Sequence, residues 1–367
     1  MPLRILRLAA AAVAALSLFA CASADQQAAS APEAVTVGRA RNPVFPAADP
    51  HLAVAQGRWW IYATTPDAAG RPSWARLYAH ASDDLTRWTR IGPIFSFQGV
   101  RWIGDDDVRR HYLWAPALAE ANGRFYLYYS VGPQNPTPSR IGVAVADTPE
   151  GPFTDTGKPL LTGVTGVGEW EAIDPMVFTD PRTGIAYLYA GGSAGSKLHV
   201  FELEPTMTAV RREVRVEQPP NFTEGPFMHE RNGVYYLSYS HGRWYDASYS
   251  AHYATAPSPV GPWAYRGVLL RSDERHRGPG HHSIARNPAT GEWFIAYHRW
   301  EAAGRRTFQG DRQVAVQRLT YNPDGTIAPV QMDDAPPPSS PLAAQSKAAA
   351  IAGSSLPGGT LEPASAR

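Results

Sequence analysis

The sequence predicts an all-β chain folded as a five-bladed β-propeller, and three observations carry that reading. Five aromatic or β-branched segments each follow a glycine turn: "GRWWIYAT" from Gly57, "GRFYLYYS" from Gly123, "GIAYLYAG" from Gly184, "GVYYLSYS" from Gly233 and "GEWFIAYH" from Gly291. The glycines stand 66, 61, 49 and 58 residues apart, which is too long for a helical hairpin and suits a four-stranded sheet with its loops. Each segment is then followed by a strand, a polar turn and a short strand, as in "SRIGVAVADTPEGPFTDTG" and "YSAHYATAPSPVGPWAYRG", with no long helical periodicity between. A large β-sandwich would show no such period.

Taken in order, the chain opens with "MPLRILRLAAAAVAALSLFAC", two arginines ahead of a short apolar run, which has the form of an export signal over residues 1–21. "LFAC" resembles a bacterial lipoprotein box, so acylation at Cys21 is expected in preference to cleavage after Ala24, leaving the protein periplasmic or on the outer membrane and touching the membrane only through that anchor. Cys21 is the sole cysteine, so the folded part has no thiol for a disulfide, a zinc site or a nucleophile. Residues 22–37 read as a flexible leader, 38–333 as the propeller, and the Pro, Ser, Gly and Ala-rich stretch 334–367 as a disordered tail. With 34 basic and 33 acidic residues interspersed and a net charge of +1, the chain carries no electrostatic footprint for nucleic acid, and a neutral partner fits better.

The chemistry lies ahead of the glycine turns, where the inner strand of each blade should begin. Counting back gives Asp49, Ala115, Asp174, Glu224 and His281 at similar offsets, with proline directly after Asp49, Ala115 and Asp174 and two after Glu224. Proline is tolerated at a first strand position, where its missing N–H is not needed. Any one acid there is most simply a turn residue. Three in one register of a propeller instead converge on the axial channel, where like charge and burial raise at least one pKa and hold a proton at neutral pH. Hydrolysis of a glycosidic bond needs such an acid and a second carboxylate.

Among the tryptophans, Trp59 and Trp60 are expected between blades. Trp102, Trp170, Trp244 and Trp300 lie near inner strands or their loops, and Trp114, at the channel mouth of the blade without an acid, is the preferred sugar contact. Arg312, opening the last repeat's strand in "GDRQVAVQRL", would orient hydroxyls if it pointed inward. His281, in "GPGHHSI", fits either a hydrogen-bonded channel residue or a site residue.

These phrases in this order, "NPVFPAADPHL", "WAPAL", "EAIDPMVFTD", "TEGPFMHERNGVYYLSYS", "GPGHHSI" and "DRQVAVQRLTYNPDG", resemble glycoside hydrolase family 43 over residues 41–330. The resemblance implies an inverting glycosidase acting on α-L-arabinofuranosyl or β-D-xylosyl linkages of plant polysaccharides and oligosaccharides. Asp49 would be the general base, Glu224 the general acid and Asp174 the residue that orients the acid and raises its pKa, with Trp114, Arg312 and His281 touching substrate. It requires no cofactor for the chemistry, and implies a calcium ion in the channel reached from His281 through water. Exo action is preferred; an endo-arabinanase of the same fold or a non-catalytic sugar-binding propeller are the competing readings. Related propellers acting on fructosides carry different phrases at the first two acids than "AADPH" and "AIDP".

Overall fold

The computed structural model describes residues 34–64, 75–98, 100–166, 169–301 and 311–342. Its strands form five antiparallel sheets in chain order, so the expected propeller is what the chain adopts. The inner strands are Ala48–Ala55, Tyr112–Ala121, Met176–Thr179, Glu224–Arg231 and His276–Arg286, each next to the following one and the fifth next to the first. The second strands, Arg58–Thr64, Arg124–Gly132, Ala186–Ala190, Val234–His241 and Trp293–Glu301, are the aromatic runs of the sequence. Buried on both faces between neighbouring blades, they read as continuous apolar segments rather than alternating ones. Trp59 and Trp60, at 0% and 1% exposure, sit in two of these interblade cores as expected. Among the described residues the one helical element is a 3₁₀ turn at Arg101–Gly104.

Closure of the ring uses the N-terminal side of the domain. Phe45–Pro46 adds the outermost strand to blade 5, pairing Phe45 with Val314 and Pro46 with Gln313, while the rest of that sheet comes from residues 276–319. The folded region also extends further at both ends than composition suggests. Ala34–Val37, assigned to the leader, pairs with the outer strand of blade 1, Val37 lying opposite Trp88. At the other end Ser340 donates its N–H to the Asp84 carbonyl and accepts Trp59 Nε1 at its own carbonyl, and Asn287 Nδ2 donates to its hydroxyl. A proline-rich segment satisfies its polar groups against loops and side chains and needs no ladder, so its composition does not exclude packing. Cys21, the export signal and residues 343–367 lie outside the described residues.

Four of the five inner strands carry the same irregularity at their start, and the third begins only at Met176, after the equivalent residues. Register shifts fall between Ala48 and His51, Trp114 and Ala117, Glu224 and Phe227, and Gly280 and Ser283. The equivalent residue of each blade has left-handed backbone: Asp49 at φ 54°, Ala115 at 45°, Gly225 at 59° and His281 at 41° within the breaks, and Asp174 at 57° two residues ahead of Met176. Four of these are not glycine, and such a conformation disfavours a side chain by roughly 1–2 kcal/mol, so the surroundings must impose it. Hydrogen bonds from the preceding blade do so. The N–H of Ala115 donates to Thr64 Oγ1 (2.8 Å), that of Asp174 to Ser130 Oγ (2.9 Å), that of His281 to Ser240 Oγ (2.8 Å) and that of Asp49 to His298 Nδ1 (3.1 Å).

The joint from blade 3 to blade 4 departs from this. Gly191 occupies the position of Thr64 and Ser130, and a Cβ there would stand 2.1 Å from the Lys197 carbonyl oxygen, so no hydroxyl can be placed. The Gly225 N–H turns instead to Asp174 Oδ2 at 3.0 Å.

Candidate active site

The bulges fix where the site residues stand. Asp49, Asp174 and His281 occupy the left-handed position of their blades, whose next residues are Pro50, Pro175 and His282. Glu224 does not: Gly225 holds that position in blade 4, so Glu224 stands one residue ahead, in the slot Trp114 fills in blade 2. The sequence expectation that Glu224 shares the register of the two aspartates is corrected by one residue. The physical reason is that the left-handed position of this blade is taken by glycine, which adopts it at no steric cost. The side chains of Asp49, Asp174 and Glu224 are nonetheless brought together, each buried to 6–8% exposure.

Contacts between them are direct or through one side chain. His281 Nδ1 lies 3.3 Å from Asp49 Oδ1 and 3.5 Å from Asp174 Oδ2. Arg312 Nη1 donates to Asp49 Oδ1 at 3.1 Å, so the arginine points inward and not to solvent. The Tyr249 hydroxyl donates to Glu224 Oε1 at 2.7 Å, and the Tyr249 ring stacks on His298 with centroids 5.7 Å apart. His298 Nδ1 accepts the Asp49 N–H, which makes Nε2 the protonated nitrogen of a neutral ring, and burial pushes that imidazole down to about 3.

Equal burial has opposite outcomes on the two sides of this cavity. For Asp49 burial pushes the pKa up, but the Arg312 guanidinium, with the His281 ring beside it, more than offsets this and holds the carboxyl well below the usual range. Among the described residues Glu224 has no cation in contact. Burial raises it, the Tyr249 hydrogen bond resists, and the charges of Asp49 and Glu171 add to the rise, bringing it to about 7. Asp174 is pushed up first by burial and then by Glu224 and Asp49. Glu224 and Asp174 thus keep a proton between them at neutral pH while Asp49 stays ionised.

The aromatic residues divide. Trp114 is half-buried at the site, stacked on Tyr112 at 5.4 Å, with its ring against Gly132 Cα so closely that a Cβ would clash at 2.1 Å. Trp102 is buried between blades 1 and 2, donating to Asp155, and Trp170 packs on His199 and Phe201. Trp244 is 43% exposed beside Tyr245 at 52%, its ring 5.2 Å from the Arg312 guanidinium, and Trp300 Nε1 donates to the Trp244 carbonyl.

At the carboxylates the axial channel is lined by Asp49, Asp174, His51, His281 and His282 with four prolines. Calcium takes six to eight oxygen ligands. The carboxylates of this lining, Asp49 and Asp174, both lie against His281 Nδ1, so His281 would meet a channel calcium through water and not as a direct ligand. A second cluster, His276, Glu301 and Asp334, is already neutralised by Arg299 and Arg275 and is an ion-pair network.

Three residues of the site were not singled out by sequence: Tyr249, His298 and Glu171. His298 had a signal, since it ends the fifth aromatic segment as Thr64, Ser130, Gly191 and Ser240 end the other four. Tyr249 and Glu171 are the first residues of the phrases "YSAHYATAPSPVGPWAYRG" and "EAIDPMVFTD", but neither stands at the repeated offset that marked the acids.

The chain is 34% identical over 310 residues to the β-D-galactofuranosidase xynD of Aspergillus niger, covering 80% of this chain and 86% of that protein. It is 30% identical to the arabinoxylan arabinofuranohydrolase of Bacillus subtilis, covering 77% of this chain and 62% of that longer protein. Among solved structures, a thermostable family-43 glycoside hydrolase superimposes with a TM-score of 0.67 at 25% identity, covering 83% of this chain and 98% of that one. A β-xylosidase/α-arabinofuranosidase from a compost microbial metagenome, solved with xylotriose in a calcium-free form, gives 0.63 at 26% identity, covering 82% and 98%. The sequence profile described as "Glycosyl hydrolases family 43" matches residues 40–327, so this chain belongs to family 43 and is a glycoside hydrolase.

Proposed function

We propose that the chain is an inverting, exo-acting glycosidase with Asp49 as general base, Glu224 as general acid and Asp174 as the residue that positions the acid. The observation that carries the reading is the divided electrostatics: one buried carboxyl is held ionised by Arg312 while its neighbours retain a proton near neutral pH. Asp49 takes a proton from a water, whose oxygen attacks the anomeric carbon on the face opposite the leaving group. The glycosidic C–O bond breaks as Glu224 gives its proton to the departing oxygen. The sugar leaves with inverted configuration, Asp49 protonated and Glu224 ionised, and exchange with solvent restores both.

The substrate class follows from the relatives and the rims. The relatives act on arabinofuranosyl, galactofuranosyl and xylosyl units by their names. α-L-Arabinofuranose and β-D-galactofuranose share the configuration of their ring carbons, so α-L-arabinofuranosyl linkages are the first choice and β-D-xylosyl linkages the second. The exposed Trp244 and Tyr245 pair beside Arg312 offers ring faces to a carbohydrate partner. No step passes through calcium. The export signal supports a periplasmic or outer-membrane lipoprotein acylated at Cys21, which radiolabelled palmitate would tag in the wild type and not in Cys21→Ala.

The experiment is an assay of wild type and Glu224→Gln on aryl α-L-arabinofuranosides, with the anomer of the first product followed by NMR. Hydrolysis with inversion in the wild type, lost in the variant, is expected. Retention of configuration would overturn the base role of Asp49, and a wild type inert on every pentoside that still binds them would make the propeller a sugar-binding protein.

A further inference from the structure

Glu171 is a fourth carboxyl of this neighbourhood, and the reaction above gives it no task. It lies three residues before Asp174 and is 7% exposed. Oε2 accepts the Ala194 N–H at 2.8 Å, and no arginine, lysine or histidine among the described residues pairs with it. The seat is built for it. Gly192 approaches so closely that a Cβ there would stand 2.5 Å from Oε2 and 2.6 Å from the Ile173 side chain, so only glycine leaves room for the carboxyl.

Two things distinguish it from a structural acid. A buried carboxyl normally finds a cation or fills both oxygens with donors, and here Oε1 has no protein donor among the described residues while not being sealed off from solvent. Its charge also reaches the reaction centre, since it helps to raise both Asp174 and Glu224. Three residues ahead of Asp174, in the segment that leads into the third inner strand, the carboxyl stands on the acid's side of the cavity with one acceptor oxygen unused. Asp49, Glu224 and Asp174 are committed to the anomeric centre, so a fourth acceptor serves another part of the sugar, and the donors a neutral sugar carries are hydroxyls.

Resting on the proposed glycosidase reading, we propose that Glu171 Oε1 accepts a hydrogen bond from a hydroxyl of the sugar unit being released, making Glu171 a specificity-determining residue. Such a bond discriminates by leaving the carboxyl unpaired when the hydroxyl is missing.

The test is a cycle between enzyme and substrate: wild type and Glu171→Ala, each assayed on an aryl α-L-arabinofuranoside and on its 2-, 3- and 5-deoxy analogues. The expected result is that the wild type loses about 10- to 100-fold in kcat/KM on one of the three, as for a hydrogen bond to a charged group, and that Glu171→Ala loses nothing further on that analogue. Penalties that multiply on all three overturn the contact. Glu171→Gln guards against misfolding: it keeps an acceptor and should keep the discrimination while moving the alkaline limb of the pH profile downward. A downward limb in both variants with discrimination unchanged would reduce Glu171 to an electrostatic neighbour and overturn the proposal. If the wild type hydrolyses the parent arabinofuranoside normally, any such failure is this inference's alone; if it does not, the glycosidase reading fails with it.

Discussion

The cavity has two sides that are equally buried and oppositely furnished. Around Asp49 stand Arg312, His281 and His298; around Glu224 stand Asp174, Glu171 and the neutral Tyr249. Burial alone would push all the carboxyls the same way, so the split is made by the company each one keeps. A single cation delivered from the last blade separates a base from an acid.

Removing either carboxyl should have the largest effect. Asp49→Asn and Glu224→Gln are each expected to lower kcat/KM by roughly 10²–10⁴-fold. They should part on leaving group: a dinitrophenyl glycoside, which needs no proton, restores much of the rate to Glu224→Gln and none to Asp49→Asn. Equal rescue of both would erase the distinction between the sides. Arg312→Gln comes next. Without the guanidinium, burial wins at Asp49 and its pKa rises, so the acidic limb of the pH–rate profile moves upward with a loss of about 10-fold or more near neutrality; Arg312→Lys should recover part of it.

Asp174 tests whether the acid's side depends on geometry or charge. Asp174→Asn keeps an acceptor for the Gly225 N–H and Asp174→Ala does not, so alanine should cost about 1–3 kcal/mol of unfolding stability and asparagine less, measured by urea denaturation. The smallest effect is expected from Tyr249→Phe. Its hydroxyl favours ionised Glu224, so its removal raises that carboxyl further, and the alkaline limb, set by loss of the Glu224 proton, should move to higher pH.

Most of the fold and the larger part of the site were legible. The period of the glycine turns fixes five sheets, and the acids at their starts mark the cavity because a propeller turns equal sequence offsets into one shared axis. The legibility stops where side chains depart from the repeat. Glu224 sits one residue off register because glycine takes the left-handed position of its blade, and offsets counted from a turn cannot see which residue of "TEGPF" the bulge selects. Tyr249 arrives from a loop closed by Asp246 and Ser248, whose shape no periodicity encodes. His298 stood in a visible column with Thr64, Ser130 and Ser240, but the column acquires meaning only when each member is seen accepting a backbone N–H from the next blade.

The closing strand Phe45–Pro46 carries a consequence for assembly. Pro46 lies opposite Gln313, the Ala47 N–H donates to the Arg312 carbonyl, and Asp49 meets the Arg312 side chain immediately afterwards. The ionised base therefore owes its charge partner to the seam where the two ends of the domain fasten. A nascent or clipped chain lacking its last sheet could build the acid's half of the chamber and still hold Asp49 without its counterion. Hydrolytic competence is thus the final product of folding, and turnover becomes a readout of whether the seam has been sewn shut.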